Sequence, residues 1–206
     1  MKGSTRPLSK TEVDELAARA SPLGPDVQAI LRASTTEIAS VDTPFFPHAS
    51  VYRVEHWLRP TRTLVLTLGS LQDGTTLLLP TNPEGWMRLA TSGVDLGTES
   101  LRLAYAISFL ETTRSFAERF QVLHEIDQLE PRPGMSDEDG AVFEDIRQRF
   151  ASSVPPTITA TAPRKASVFA LKGQDLVRYL LRIAPTGQIE ATPSVVEREL
   201  PVVWAL

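Results

Sequence analysis

Apolar residues recur at helical spacing from Glu99 to Phe120, and this stretch predicts the longest helix of the chain. Thr98 suits the cap position, because its hydroxyl can accept a hydrogen bond from an orphan N–H of the first turn. At about 1.5 Å per residue, a helix of about 22 residues is about 33 Å long. The apolar side is expected to face a sheet through Leu103, Ile107, Leu110 and Phe116, and the polar side to carry Arg102, Glu111, Arg114, Glu118 and Arg119.

Two shorter helices are predicted near the N-terminus. Ser9 and Glu12 have the spacing of a capping box that opens a helix through about Ala20. Pro25 suits the first turn of a second helix, since proline there loses no hydrogen bond. The pair predicts a helical hairpin, and we divide the chain into a helical extension, 1–42, and a single α+β domain, 43–206.

Alternation of apolar and polar residues predicts strands in the rest of the chain. In the first of them the inward side is Tyr52, Val54, His56 and Leu58, and the outward side is Arg53, Glu55, Trp57 and Arg59. Asp73 and Gly74 predict a hairpin turn between strands 63–71 and 75–79, because both residues tolerate positive φ. Asn82 and Pro83 then predict the start of a short helix, because asparagine suits the cap and proline suits the first helical position.

Further elements follow the long helix. A strand is predicted over 122–129 and a helix from Ser136 to Phe150 with the apolar face Val142, Phe143, Ile146 and Phe150. Strands over 157–161, 167–172, 176–184 and 189–204 close the chain, and Pro193 and Pro201 require that the last of them lies at an edge or is interrupted. The order of elements predicts an α+β fold: a curved antiparallel sheet packed on the long central helix, with the N-terminal helical hairpin beside it.

Composition narrows the cellular setting and the class of partner. The 206 residues include no Cys, which favours a reducing compartment, and no apolar run is long enough to span a bilayer. We therefore expect a cytoplasmic protein without membrane contact. The net charge of −4 makes nucleic acid an unfavoured partner. Arginine outnumbers lysine by 17 to 4, a bias typical of a GC-rich bacterial genome.

Motifs for metal or cofactor chemistry are incomplete. His124 and Glu125 begin like the zinc-protease motif H-E-x-x-H, but Gln128 replaces the second histidine. The acids Asp137, Glu138 and Asp139 suit the first turn of a helix better than a calcium loop. No metal site and no cofactor are therefore expected.

Catalysis has one weak candidate. His56 lies on the apolar side of its predicted strand, where a buried histidine with one or two hydrogen bonds is commoner than a catalytic one. A neighbouring carboxylate such as Glu125 or Asp127 would be needed for proton transfer. Whether the chain is an enzyme stays open.

Binding is the favoured class of function. Trp57 shares a strand face with Arg53 and Arg59, and Arg62 follows the turn. Exposed Trp and Arg side chains are typical of protein-binding surfaces, although a Trp packed under Arg stems would give the same pattern. We expect a non-catalytic binding protein with an accessory, immunity-like or regulatory protein partner. The alternative is a small-molecule-binding protein or enzyme with a pocket between the sheet and the helix 99–120.

Overall fold

The computed structural model describes residues 5–59, 62–115, 119–159 and 164–203. Five α-helices lie in these ranges: α1 (Lys10–Arg19), α2 (Pro25–Arg32), α3 (Pro83–Thr91), α4 (Glu99–Thr113) and α5 (Asp137–Phe150). The strands are β1 (Thr5–Pro7), β2 (Thr36–Val41), β3 (Ala49–Arg59), β4 (Arg62–Leu71), β5 (Thr76–Leu78), β6 (Phe120–Leu123), β7 (Thr157–Ile158), β8 (Lys165–Lys172), β9 (Asp175–Ile183) and β10 (Ile189–Glu197). Single turns of 3₁₀ helix occur at Ser21–Leu23 and Ile126–Gln128.

The strands form two antiparallel sheets, so the chain mixes helices and antiparallel sheets as the order of elements predicts. The first sheet has the strand order β1-β2-β3-β4-β5, in which neighbours in sequence are neighbours in space. The second has the order β10-β9-β8-β6, and β7 also pairs with β8. A single sheet was expected, and the structure instead divides the strands between two.

The chain forms two compact units. One contains the described residues of Met1–Gly97 and Thr112–Phe116, and the other those of Thr98–Glu111 and Ala117–Leu206. Helices α1 and α2 therefore belong to the same unit as the first sheet.

In the first unit, α1 and α2 pack on one face of the first sheet. The capping box at the start of α1 is confirmed, because Glu12 N donates to Ser9 Oγ at 3.4 Å and Ser9 N donates to Glu12 Oε2 at 2.8 Å. The buried cluster beneath the helices joins two helices and three strands: Leu16, Ala17, Ala20, Leu31, Ile38, Val54, Leu66 and Leu68. Alternate residues of each strand enter this cluster, as the period of two requires.

The opposite face of the first sheet is covered at one end by α3. The Asn82 cap predicted for this helix is confirmed, since Gly85 N donates to Asn82 Oδ1 at 2.8 Å. Gly69 in β4 lies directly under Leu89, and a Cβ at Gly69 would fall 2.7 Å from a Leu89 methyl carbon. The absence of a side chain at Gly69 is therefore what lets the helix approach the strand.

Helix α4 is shorter than predicted. It ends at Thr113 instead of Phe120, Phe120 begins β6, and Phe116 lies outside the described residues. Ile107 and Leu110 are buried as expected, and Leu103 is half-buried.

The expected polar side of α4 is wrong at Arg102, which is only 6 % exposed. Arg102 shares its side of the helix with Tyr105, Ala106 and Phe109, which follow at intervals of three, four and seven residues and are also buried. The hydroxyl of Tyr105 donates to the Gly187 carbonyl at 2.5 Å, which ties this side of α4 to the β9–β10 turn.

In the second unit, α5 packs on the second sheet through Phe143 and Ile146. Val142, expected on the same face, is 49 % exposed, because it precedes Phe143 by 100° around the helix. Strand β10 ends the sheet and contains Pro193, paired with Tyr179 of β9, so the edge position predicted from the proline is confirmed. No helix among the described residues is long and apolar enough to cross a membrane.

Candidate functional site

The β3–β4 hairpin extends past the strand beside it. Pairing of β2 with β3 ends at the Thr36–His56 pair, followed by one hydrogen bond from Trp57 N to the Thr35 carbonyl at 2.9 Å. Pairing of β3 with β4 continues to Arg59 and Arg62, with a register irregularity between Trp57 and Arg59. The described residues at this end of the hairpin, 57–59 and 62–63, are called the hairpin tip below.

The hairpin tip carries two large apolar side chains that are exposed to solvent. Trp57 is 44 % exposed and its neighbour Leu58 is 50 % exposed. The expected burial of Leu58 beside Val54 is wrong. Val54 lies under α1 and α2, and Leu58 lies four residues farther along β3, about 13 Å at 3.3 Å per residue.

The arginines expected beside Trp57 occupy two different positions. Arg53 is four residues away on the same face and its Nε donates to Glu55 Oε1 at 2.6 Å, with both side chains partly exposed. Arg59 and Arg62 are cross-strand neighbours in the tip, and their side chains lie outside what the structure describes. Trp57 is therefore separated from Arg53 by the Glu55 carboxylate.

His56, the weak catalytic candidate, is half-buried and bonded to a threonine. Its Nδ1 lies 2.7 Å from Thr36 Oγ1, and that hydroxyl donates to the Ile30 carbonyl at 2.6 Å. Because the hydroxyl has one proton, it accepts from Nδ1, and in the neutral ring Nε2 carries no proton. The contact ties β3 to the end of α2, which is a structural role for this histidine.

The segment at His124 differs from its expected strand. Strand β6 ends at Leu123, and Ile126–Gln128 is a 3₁₀ turn. Gln128 Oε1 accepts from His124 N at 2.6 Å and from Glu125 N at 3.3 Å. Gln128, which stands where the zinc-protease motif has its second histidine, therefore closes this turn. Burial lowers the pKa of His124, and the Glu125 carboxylate partly offsets that shift.

The acidic residues near this turn and α5 are engaged in local contacts. Asp127 accepts from Arg147 of α5, and Arg147 also contacts Glu144 at 3.3 Å. Ser136 caps α5 by accepting from Asp139 N at 3.1 Å, and Arg132 contacts the Asp139 carboxylate at 3.3 Å. Among the described residues no three His, Asp or Glu side chains are grouped in a way that would hold a metal ion.

A polar pocket of about 240 Å³ opens in the first unit, at the end of β3 and β4 away from the hairpin tip. Its walls come from the C-terminal end of α1, the start of β3 and the end of β4: Arg19, Pro47, His48, Ala49, Ser50, Ser70, Leu71 and Gln72. None of these residues was singled out as a site from the sequence, apart from His48 as one of three histidines. The available signal was the replacement of apolar inward residues by Ser50 and Ser70 at the ends of their strands.

Comparison with protein-family models, with curated proteins and with solved structures finds no match to this chain. The functional assignment therefore rests on the geometry of the chain itself.

Proposed function

We propose that this chain is a non-catalytic binding protein, an accessory, immunity-like or regulatory component, that contacts a protein partner through the hairpin tip. The observation that carries the proposal is the pair Trp57 and Leu58, two adjacent large apolar side chains that are exposed at the end of β3, beyond its pairing with β2. A partner surface that received the tip would cover both side chains at once.

The energy available from this surface suits a specific contact. Burial of the exposed part of an indole, about 100 Å², is worth about 2.5 kcal/mol at about 25 cal/mol per Å². Trp and Arg are the residue types that most often dominate binding energy, and Arg53, Arg59 and Arg62 supply cations near the indole in sequence. We assign Trp57 the central contact and these arginines the surrounding ones.

The alternative function, small-molecule binding or catalysis, rests on the finer form of the expected fold, a curved sheet around the helix that begins at Glu99. The polar pocket at Arg19 supports small-molecule binding by the first unit without that arrangement. The lack of cysteine and the excess of arginine support a bacterial cytoplasm as the setting of either function.

Site-directed photo-crosslinking tests the proposal. A photoreactive residue replaces Leu58 in one version of the chain and Val142, equally exposed on α5, in the matched control. We expect a protein to be captured at position 58 and not at 142. With that protein purified, Trp57→Ala should weaken binding at least 10-fold, about 1.4 kcal/mol, and Val142→Ala less than twofold.

Stability measurements separate binding from folding. Trp57→Ala should change the free energy of unfolding by less than about 1 kcal/mol, because its side chain is half-exposed. Equal capture at both positions, or unchanged affinity in Trp57→Ala, would contradict the proposal.

A further inference from the structure

The face of the first sheet that packs on α1 and α2 changes from apolar to polar at one end. Tyr52, Leu68 and Leu78 are aligned across three strands at the border of the buried cluster. The next aligned row on the same face is Ser50, Ser70 and Thr76, a hydroxyl on each strand.

Two of these hydroxyl residues are deeply buried. Ser70 is only 3 % exposed, and Thr76 Oγ1 is buried without a hydrogen-bond partner among the described residues. Leaving a buried hydroxyl unpaired is unfavourable, so a row of hydroxyls is not expected as plain core. Ser50 and Ser70 line the pocket, where their hydroxyls are useful as donors.

Arg19, the last residue of α1, closes the pocket over this row. Its Nη1 donates to Ser70 Oγ at 3.3 Å, which uses one of the five N–H groups of the guanidinium. Arg19 forms no ion pair with a described carboxylate. It is therefore a half-buried cation that a serine hydroxyl, and no carboxylate among the described ion pairs, holds in place.

His48 and Gln72 form the outer wall. Gln72 Nε2 donates to His48 Nδ1 at 3.2 Å, so in the neutral ring Nε2 of His48 carries the proton. Gly93 leaves room for the ring, because a Cβ there would lie 3.0 Å from His48 Cδ2. These contacts hold the imidazole at the pocket with a donor free for a ligand.

The acidic residue closest in sequence to the pocket residues at the end of β4 is Asp73, which follows Gln72 and is not part of the pocket lining. Its Oδ1 accepts from Thr75 N at 2.8 Å, and this bond lowers the pKa of the carboxyl. The Asp73 carboxylate thus bonds within its own turn, and the pocket lining itself contains one cation, neutral donors and no carboxylate.

We propose that this pocket binds the phosphate group of a small molecule or a free phosphate ion. Donors converge on it from a helix end, a connector and two strands, which suits a tetrahedral anion with acceptors in several directions. A carboxylate is planar and is best bound by one arginine fork in its own plane. The volume is below the about 300–1,000 Å³ of typical drug-sized pockets, so the ligand is small.

An amide NMR titration of the whole chain tests the proposal directly. The probes are inorganic phosphate, methyl phosphate and acetate, each added at constant ionic strength made up with sodium chloride. We expect saturable shifts of the Ser70, Leu71 and Gln72 amides with either phosphate compound and at least 10-fold weaker binding of acetate. Tighter binding of methyl phosphate would identify a phosphate monoester as the ligand and tighter binding of inorganic phosphate the free ion, and either supports the proposal.

Variants show whether the pocket itself is responsible. Arg19→Gln should weaken phosphate binding at least 10-fold, and Arg32→Gln, the same change at the last residue of α2, less than twofold. Ser50→Ala is a second probe that leaves the helix intact, since Ser50 is exposed, and should weaken binding about 2–5-fold by loss of one donor.

Three results would overturn the proposal: no saturable shift with phosphate, acetate bound as tightly as phosphate, or equal losses in Arg19→Gln and Arg32→Gln. The pocket goes beyond the proposed protein contact and does not depend on it. Trp57→Ala should leave the phosphate titration unchanged, so failure of one proposal is distinguishable from failure of the other.

Discussion

At one end of the β3–β4 pair two large apolar side chains are exposed, and at the other end hydroxyl groups are buried. Trp57 and Leu58 lie where the hairpin extends beyond β2, whereas Ser70 lies beneath Arg19 at the end of α1. Exposure along the two strands therefore depends on which element covers each position. The uncovered apolar end suits a protein surface, and the covered polar end suits a small polar ligand.

The largest difference is expected between two leucines of the hairpin, one in its middle and one at its tip. Leu68→Ala should lower the free energy of unfolding by about 2–5 kcal/mol, because Leu68 is fully buried under α1 and α2. Leu58→Ala should cost less than about 1 kcal/mol. Chemical denaturation measures both, and similar losses would mean that the tip is packed in solution.

The end of the β3–β4 pair that lies under α1 also has a close contact on the opposite face of the sheet, where Gly69 meets α3. Gly69→Ala should cost about 1–3 kcal/mol, because the added methyl group meets Leu89, which is fully buried. The control is Gly140→Ala in α5, where nothing lies within 4 Å of the new Cβ and a gain of about 0.5–1 kcal/mol is expected. Equal effects of the two substitutions would show that α3 does not press on Gly69.

The border of the covered region lies at Thr36 and His56. Thr36→Val keeps the shape of the side chain but removes its bonds to His56 and to the Ile30 carbonyl, at a cost of about 1 kcal/mol. Thr67→Val, on the other face of the sheet, is the control and should be close to neutral. If Thr36→Val left the free energy of unfolding unchanged, solvent would replace both bonds, and the region of the sheet covered by the helices would end before His56.

The smallest effect concerns the turn beside the pocket. The bond from Thr75 N lowers the pKa of Asp73 below 3.8, so ionised Asp73 stabilises the fold above that pH. This contribution is lost as the pH falls through the folded-state pKa, and Asp73→Asn should remove that part of the acid dependence. Carboxyl NMR titration measures the pKa, and a value of 3.8 or above would contradict the bond.

Local signals in the sequence predict the starts of elements well. The Ser9 capping box, the Asn82 cap and the Asp73–Gly74 turn need only residues within a few positions of each other, and all three are found. The end of α4 was placed too late, since apolar residues at Phe116 and Phe120 extend the helical period past Thr113. Periodicity alone does not distinguish the continuation of a helix from a following strand.

The two candidate sites differ in how far each could be predicted from the sequence. Trp57 is a single residue whose position on an outward face follows from alternation. The polar pocket requires the register that aligns Ser50 with Ser70 and the packing that brings Arg19 over them, 51 residues away from Ser70 in sequence. Neither register nor packing is encoded in a local pattern, so the pocket could not have been predicted from one sequence.

The proline within β10 has a consequence for the behaviour of the protein at high concentration. An outermost strand of nine residues presents a row of backbone groups on which another chain could add a strand and begin aggregation. Pro193 lies at the middle of β10 and has no N–H to offer, so an incoming strand would lose a hydrogen bond at the centre of the contact. Pro193→Val should therefore leave the monomer folded and shorten the lag time of fibril formation, measured by thioflavin fluorescence.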